Sequence, residues 1–212
     1  MSTPRGTLAG QLAAMGFADT ARARRLLTDE LGLDPDGADA PLVEALAGAA
    51  DPDLALGALA RMGPGDELRA ALRADEGLRD RLVTVLGVSA ALGDHLARQP
   101  ADWRLLAGPQ ALARPSAGEL SAALLAAASN GSRDPAAELR LAYRGRLLHL
   151  AARDLTGADP LDSVMAELAD LAAAALGGAL AIAAASQGTG TAAGHATAGH
   201  ATAGHATAGH AA

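Results

Sequence analysis

Apolar residues recur at three- and four-residue intervals along most of this chain, and proline, glycine and aspartate separate the runs. Leu8, Leu12 and Met15 form a first short stripe that Gly16 can end. Thr20 to Leu31 predicts a second helix, with Arg22, Arg24 and Arg25 on its polar side. Gly32 to Pro41 is rich in Asp, Pro and Gly and predicts a loop. Helix resumes from Pro41 to Ala50. Asp51 followed by Pro52 then predicts an N-cap with proline in the first turn, where its missing N–H costs nothing. Leu54, Leu56, Leu59 and Met62 follow, and Gly63-Pro64-Gly65 breaks the run.

Short amphipathic helices are expected over Asp66 to Arg73, Glu76 to Leu86 with Gly87 interrupting, and Ser89 to Arg98. Asp102 to Leu106 carries the lone tryptophan, Trp103. Ser116 with Glu119 three residues on is a capping-box signature. Asn130-Gly131-Ser132 predicts a turn. Asp134-Pro135 opens a long helix whose stripe is Leu139, Tyr143, Leu147 and Leu150, with Arg140, Arg144 and Arg153 as its basic side. Gly157 to Pro160 breaks it, and Leu161 to about Ala185 is the last helix. Strict alternation, the mark of a strand, is missing throughout. The expected class is all-α, a multi-helix array with a disordered, low-complexity C-terminal tail.

Composition sharpens this reading. The chain has 212 residues, of which 50% are apolar but only 1% aromatic, and its basic residues are all arginine. Helix-favouring Ala and Leu dominate over β-branched residues. With no cysteine there is no disulfide, no thiolate metal site and no cysteine nucleophile. A net charge of −7 and the shortage of stacking rings argue against nucleic acid as a partner. The N-terminus does not resemble a signal peptide. The longest uncharged apolar stretch, Leu171 to Ala185, is shorter than the roughly 20 residues a bilayer needs. The expectation is a soluble cytoplasmic protein that does not engage membranes.

Composition changes at about Ser186, so residues 1–185 form the helical region and 186–212 a tail of Ala-Thr-Ala-Gly-His repeats. His195, His200, His205 and His210 fall every five residues. On a helix that spacing turns by about 500°, so neighbouring histidines do not share a face. Gathering them on a metal needs a flexible chain. A tract encoded by a tandem DNA repeat is the preferred account.

Other candidate chemistry is thin. Asp34-Pro35-Asp36 and Asp51-Pro52-Asp53 have the spacing of paired magnesium ligands, but turn formation and capping explain both. Gly177-Gly178 follows no strand and precedes no Lys or Ser/Thr, so close helix packing or a flexible spot explains it better than a phosphate turn. His95, beside Asp94, and His149, between Leu148 and Leu150, are expected to be partly buried structural histidines rather than general bases. The arginines between Glu138 and Arg153 are expected to form a solvated face, with an anionic partner as the alternative.

Two stretches carry a family resemblance. One runs Leu86-Gly87-Val88-Ser89-Ala90-Ala91-Leu92-Gly93-Asp94-His95-Leu96-Ala97-Arg98-Gln99-Pro100, then Asp102-Trp103. The other runs from Leu139 through Leu147-Leu148-His149-Leu150-Ala151-Ala152-Arg153-Asp154-Leu155-Thr156 to Val164-Met165-Ala166-Glu167-Leu168-Ala169-Asp170-Leu171-Ala172. Together, over roughly residues 8 to 185, they resemble the N-terminal helical region of the bifunctional glutamine synthetase adenylyltransferase/adenylyl-removing enzymes, in their actinobacterial, lysine-free form.

The resemblance implies nucleotidyl transfer: AMP from ATP attached to a tyrosine of glutamine synthetase by one half, and removed by phosphorolysis by the other, N-terminal half. It also implies magnesium, ATP, glutamine synthetase and a PII-type signalling protein as cofactors and partners of the full-length enzyme. The family motif, a Gly-Gly-x-Glu-Leu segment leading into Ser-Asp-x-Asp, is missing from this sequence: Gly177-Gly178 leads into Ala179-Leu180. No catalytic, cofactor-binding or metal residue is therefore carried over. The expectation is an inactive N-terminal fragment, with the change at Ser186 marking a frameshift or truncated gene. A stand-alone helical interaction module is the alternative, and a histidine-tail metal carrier the third reading.

Overall fold

In the computed structural model residues 8–197 are described, with side chains for residues 8–187. All regular structure among them is helical. The α-helices are α1 (Leu8–Ala14), α2 (Thr20–Arg24), α3 (Ala40–Ala47), α4 (Pro52–Met62), α5 (Asp66–Ala74), α6 (Glu76–Val88), α7 (Ala90–Arg98), α8 (Ala117–Ala128), α9 (Pro135–Leu155) and α10 (Leu161–Thr197). The 3-10 turns Pro100–Leu106 and Pro109–Leu112 link α7 to α8. The all-α class follows as expected.

The punctuation acts through side-chain caps. Asp51, Asp75, Ser89 and Asp134 each accept a hydrogen bond from a backbone N–H three residues on, opening α4, α6, α7 and α9. Ser116 and Glu119 form the full capping box of α8. Gly63 closes α4 at φ +61°, a left-handed conformation that a Cβ would strain.

Three boundaries differ from the pattern. The second helix widens into a π turn over Arg25–Glu30, so Leu31 bonds back to the Leu26 carbonyl. An α-helix would rotate Leu31 about 140° away from Leu26; the wider turn lets Leu26, Leu27 and Leu31 all face the core. Gly87 does not interrupt α6. A Cβ there would lie 2.8 Å from the Ala49 Cβ, so this glycine admits the α3–α4 connection against the helix. Finally, α10 runs through Ser186 to Thr197 without a break, because alanine keeps helix propensity high between the glycines. The rest of the repeat lies outside the described residues.

Two cores share α9. The larger gathers Leu12, Phe17, Leu27, Leu46, Leu56, Leu82, Leu86, Leu96, Trp103 and Leu106 with Leu148 and Ala152 from the C-terminal half of α9. The smaller joins Leu120 and Leu124 of α8, Leu139 of α9, and Leu171 and Ala174 of α10. α10 meets this bundle through Val164, Glu167, Leu171, Ala174 and Gly178, one residue per turn. A Cβ on Gly178 would sit 2.8 Å from Leu139 Cδ1 and 3.4 Å from the Leu124 carbonyl, while one on Gly177 would meet nothing. Gly178 is thus a close-packing position.

The opposite face of α10 is also apolar. Leu161, Met165, Leu176 and Leu180 are 71%, 59%, 67% and 70% exposed. Leu161–Gln187 is therefore longer than the expected apolar stretch, and by length and composition it could cross a membrane. A core helix passes the same test, and ion pairs near its start tie α10 to the helical body.

Candidate functional site

The densest polar constellation is inside the protein, where α9, α10 and the Pro109–Arg114 segment meet. Arg153 is fully buried. Its Nε donates to Asp159 in the α9–α10 connection at 2.8 Å, and its Nη2 donates to Glu167 of α10. Nη1 donates to His149 Nδ1 at 2.8 Å and reaches the Ala113 carbonyl at 3.4 Å. With Nδ1 accepting, the His149 proton sits on Nε2, which donates to the Gln110 carbonyl at 3.1 Å. Arg114 closes the rim, 3.8 Å from Glu167 and 3.5 Å from Asp170.

These contacts set the charge states. Burial holds the His149 imidazole below its ordinary value, and the Arg153 cation adds to the effect. Burial also raises the Glu167 carboxyl, with Arg153 and Arg114 only partly offsetting it. Each nitrogen of the buried guanidinium has a partner, so the cluster works as a bolt between three elements. It corrects one expectation: Arg153 is not on the basic side of α9. Thirteen residues beyond Arg140 the helix has turned by about 220°, which points Arg153 into the core while Arg140 and Arg144 stay outside.

A second buried pair lies at the α7 end. His95 is 1% exposed and its Nε2 is 2.7 Å from Asp102 Oδ2, whereas its chain neighbour Asp94 pairs with Arg61 instead. His95 Nδ1 is buried without a partner. A ring this enclosed cannot meet a substrate, so the pair holds α7 to the Pro100–Leu106 turn.

The remaining sequence candidates scatter. Asp51 caps α4, and Asp53 accepts from the Ala18 N–H at 2.7 Å. The Asp34 N–H donates to Asp39, whose carboxylate also takes two bonds from Arg73 and is held below its usual range by that guanidinium. Asp51 is thus a cap, Asp53 a tie to the chain before α2, and Asp34 a turn residue through its backbone, and neither Asp-x-Asp pair converges on a metal position. Among the described residues no group of three His, Asp or Glu side chains could hold a metal ion. His195 lies where side chains are not described, and His200, His205 and His210 lie outside the described residues.

Three surface concavities flank α9 among the described residues, and two stand out by their linings. One, of about 530 Å³, is an apolar groove between α9 and α10, floored by Leu139, Ala172 and Leu176 and edged by Arg140 and Arg144. The other, of about 470 Å³, is lined by Arg104, Arg114, Arg146, Glu119 and His149.

A family model described as glutamate-ammonia ligase adenylyltransferase matches residues 79–205. The chain belongs to this family. Its match begins at α6 and continues past Ser186 into the repeat, as α10 does. Similar proteins named bifunctional glutamine synthetase adenylyltransferase/adenylyl-removing enzyme occur in Streptomyces avermitilis, Streptomyces coelicolor and Mycobacterium tuberculosis. The first is 46% identical over 188 residues, 84% of this chain and 18% of the relative. The second is 46% identical over 180 residues, 81% and 17% of the two chains. The third is 39% identical over 188 residues, 81% and 18%. The chain therefore spans less than a fifth of the length of these relatives. No solved structure matches it.

Sequence reasoning missed Asp159, Glu167 and Arg114. A signal was available: Glu167 is the one charged residue on the Val164–Leu171–Ala174 seam, and Arg153 the one cation on the buried face of α9. Opposite charges on two seams that must pack together predict each other.

Proposed function

We propose that this chain is the N-terminal helical portion of the adenylyl-removing half of the glutamine synthetase adenylylation system, and that it carries out no nucleotidyl transfer alone. One observation carries the reading. The chain aligns at 39–46% identity over about four-fifths of its own length to less than a fifth of its relatives, and its sequence lacks the Ser-Asp-x-Asp carboxylates that would bind metal. In the complete enzyme the helical portion packs beside the nucleotidyltransferase domain. The exposed apolar face of α10 supports this, being larger than the scattered apolar residues of an ordinary surface. Magnesium and ATP then belong to that other domain, and glutamine synthetase and a PII-type signalling protein are partners of the whole enzyme. The reading carries a cytoplasmic location, with α10 packed on the bundle by one face, covered on the other in the complete enzyme, and not a membrane span; the buried Arg153–Glu167 pair supports that. The net charge of −7 supports the absence of nucleic acid among its partners.

The test has two arms. The chain alone, mixed with adenylylated glutamine synthetase and inorganic phosphate, is expected to release no ADP; release above an enzyme-free control overturns the claim of inactivity. A chimaera of the Streptomyces coelicolor enzyme carrying residues 8–187 in place of its own matching stretch is expected to keep phosphate-dependent deadenylylation. A folded chimaera without that activity overturns the assignment.

A further inference from the structure

An arginine-lined cavity lies between the Pro100–Leu106 turn, α8 and α9. Three arginines line it from three elements: Arg104 from the 3-10 turn, Arg114 from just before α8, and Arg146 from α9. Arg104 gives Nη2 to Glu67 at 2.5 Å and lies over the Trp103 ring, and Arg114 faces Asp170 at 3.5 Å and Glu167 at 3.8 Å. These three carboxylates lie outside the lining, and each guanidinium keeps further N–H donors.

Arg146 is different. It is half-buried and lines both this cavity and the neighbouring one beside Asp102 and Glu138, and among the described residues it forms no ion pair. The nearby acids are committed elsewhere. Glu119 holds the α8 capping box, Asp102 bonds His95, and Glu138 takes the Ser132 hydroxyl. The Glu119 carboxyl is held below its usual range chiefly by the Ser116 bonds, with the Arg146 cation across the cavity adding to the effect. The cavity is thus lined by three cations against one anion, with a neutral His149 whose Nε2–H is already used.

We propose that this cavity binds a phosphate-type oxyanion, free or as a phosphate monoester, with Arg146 as its principal ligand and Arg104 and Arg114 completing the cup. One planar carboxylate is satisfied by a single arginine fork, whereas arginines held on three separate elements around one cavity suit the several oxygens of a phosphoryl group. A volume of about 470 Å³ leaves room for a nucleoside attached to it. The site uses none of the missing catalytic carboxylates, so it does not depend on the functional reading above.

Calorimetric titration of the 212-residue chain with inorganic phosphate, ionic strength held constant with chloride, tests it; a parallel titration uses AMP. Saturable binding to one site is expected, weakened at least about tenfold in Arg146→Ala and unchanged in Arg140→Ala, which lies on the α9–α10 groove. Arg104→Ala, whose side chain is 51% exposed, is expected to weaken binding with an unchanged circular dichroism spectrum, and it keeps the test valid should Arg146→Ala unfold. Tighter binding of AMP identifies the ligand as a monoester, and tighter binding of phosphate identifies the free ion. Failure of both to saturate, or equal affinity in the wild type and the folded arginine variants, overturns the proposal.

Discussion

Replacing Arg153 by Met is expected to be among the most damaging single changes in the helical body. The side chain is fully buried, and removing it strips Glu167, itself 2% exposed, of its main counter-charge. Asp159 loses its donor and His149 Nδ1 its hydrogen bond. Arg114 remains at 3.8 Å, too far to replace a direct bond. Breaking a buried pair from one side costs about 3–5 kcal/mol, because an uncompensated charge stays behind. For a chain of this size that lowers the melting temperature by about 6–20 °C.

Removing both charges is a different experiment. Arg153→Met with Glu167→Leu fills the space with apolar atoms and leaves no buried unpaired carboxylate, only Asp159, near solvent at 15% side-chain exposure, and the neutral His149 Nδ1. Such replacements are often close to neutral. The double variant is therefore expected to be more stable than Arg153→Met alone. Urea unfolding followed by far-ultraviolet circular dichroism supplies the four free energies of the cycle. A loss below about 1 kcal/mol for Arg153→Met, or effects that add within about 0.5 kcal/mol, refutes the reasoning.

Stability should also depend on pH through the same cluster, with two opposing signs. His149 is lowered from 6.5, so below that pH the unfolded chain takes up the proton first and stability falls as pH drops towards the folded value. Glu167 is raised from 4.5, so above that pH the unfolded chain releases its proton first and stability falls as pH rises towards the folded value. Urea midpoints across pH 4 to 7 for the wild type, His149→Gln and Glu167→Gln separate the two; a His149→Gln difference curve that is flat below 6.5 contradicts the first assignment. In α10, Gly177→Ala should stabilise by up to about 1 kcal/mol, since helix propensity rises and the new Cβ meets open space. Gly178→Ala should lose that gain to Leu139 and the Leu124 carbonyl; equal melting shifts for the two variants would mean the helices are not in close contact there.

The helical class and most helix starts were legible in the sequence, because both rest on local chemistry. Asp51, Ser89, Ser116 and Asp134 cap the helices they precede whatever those helices later pack against. Family membership was legible for a related reason, since it resides in the order of residues. Which polar groups lie inside depends instead on how the helices come together. Arg153 reads as one arginine of a basic helix until α10 brings Glu167 against it. His95 stands beside Asp94 in the chain yet bonds Asp102 across a turn. Gly87 and Gly178 look like interruptions until the chain segments that need their missing Cβ arrive. The same holds for the cavity, since Arg104, Arg114 and Arg146 belong to three separate segments. Caps and periodicity are properties of a few successive residues, whereas burial and pairing depend on how helices far apart in sequence cross.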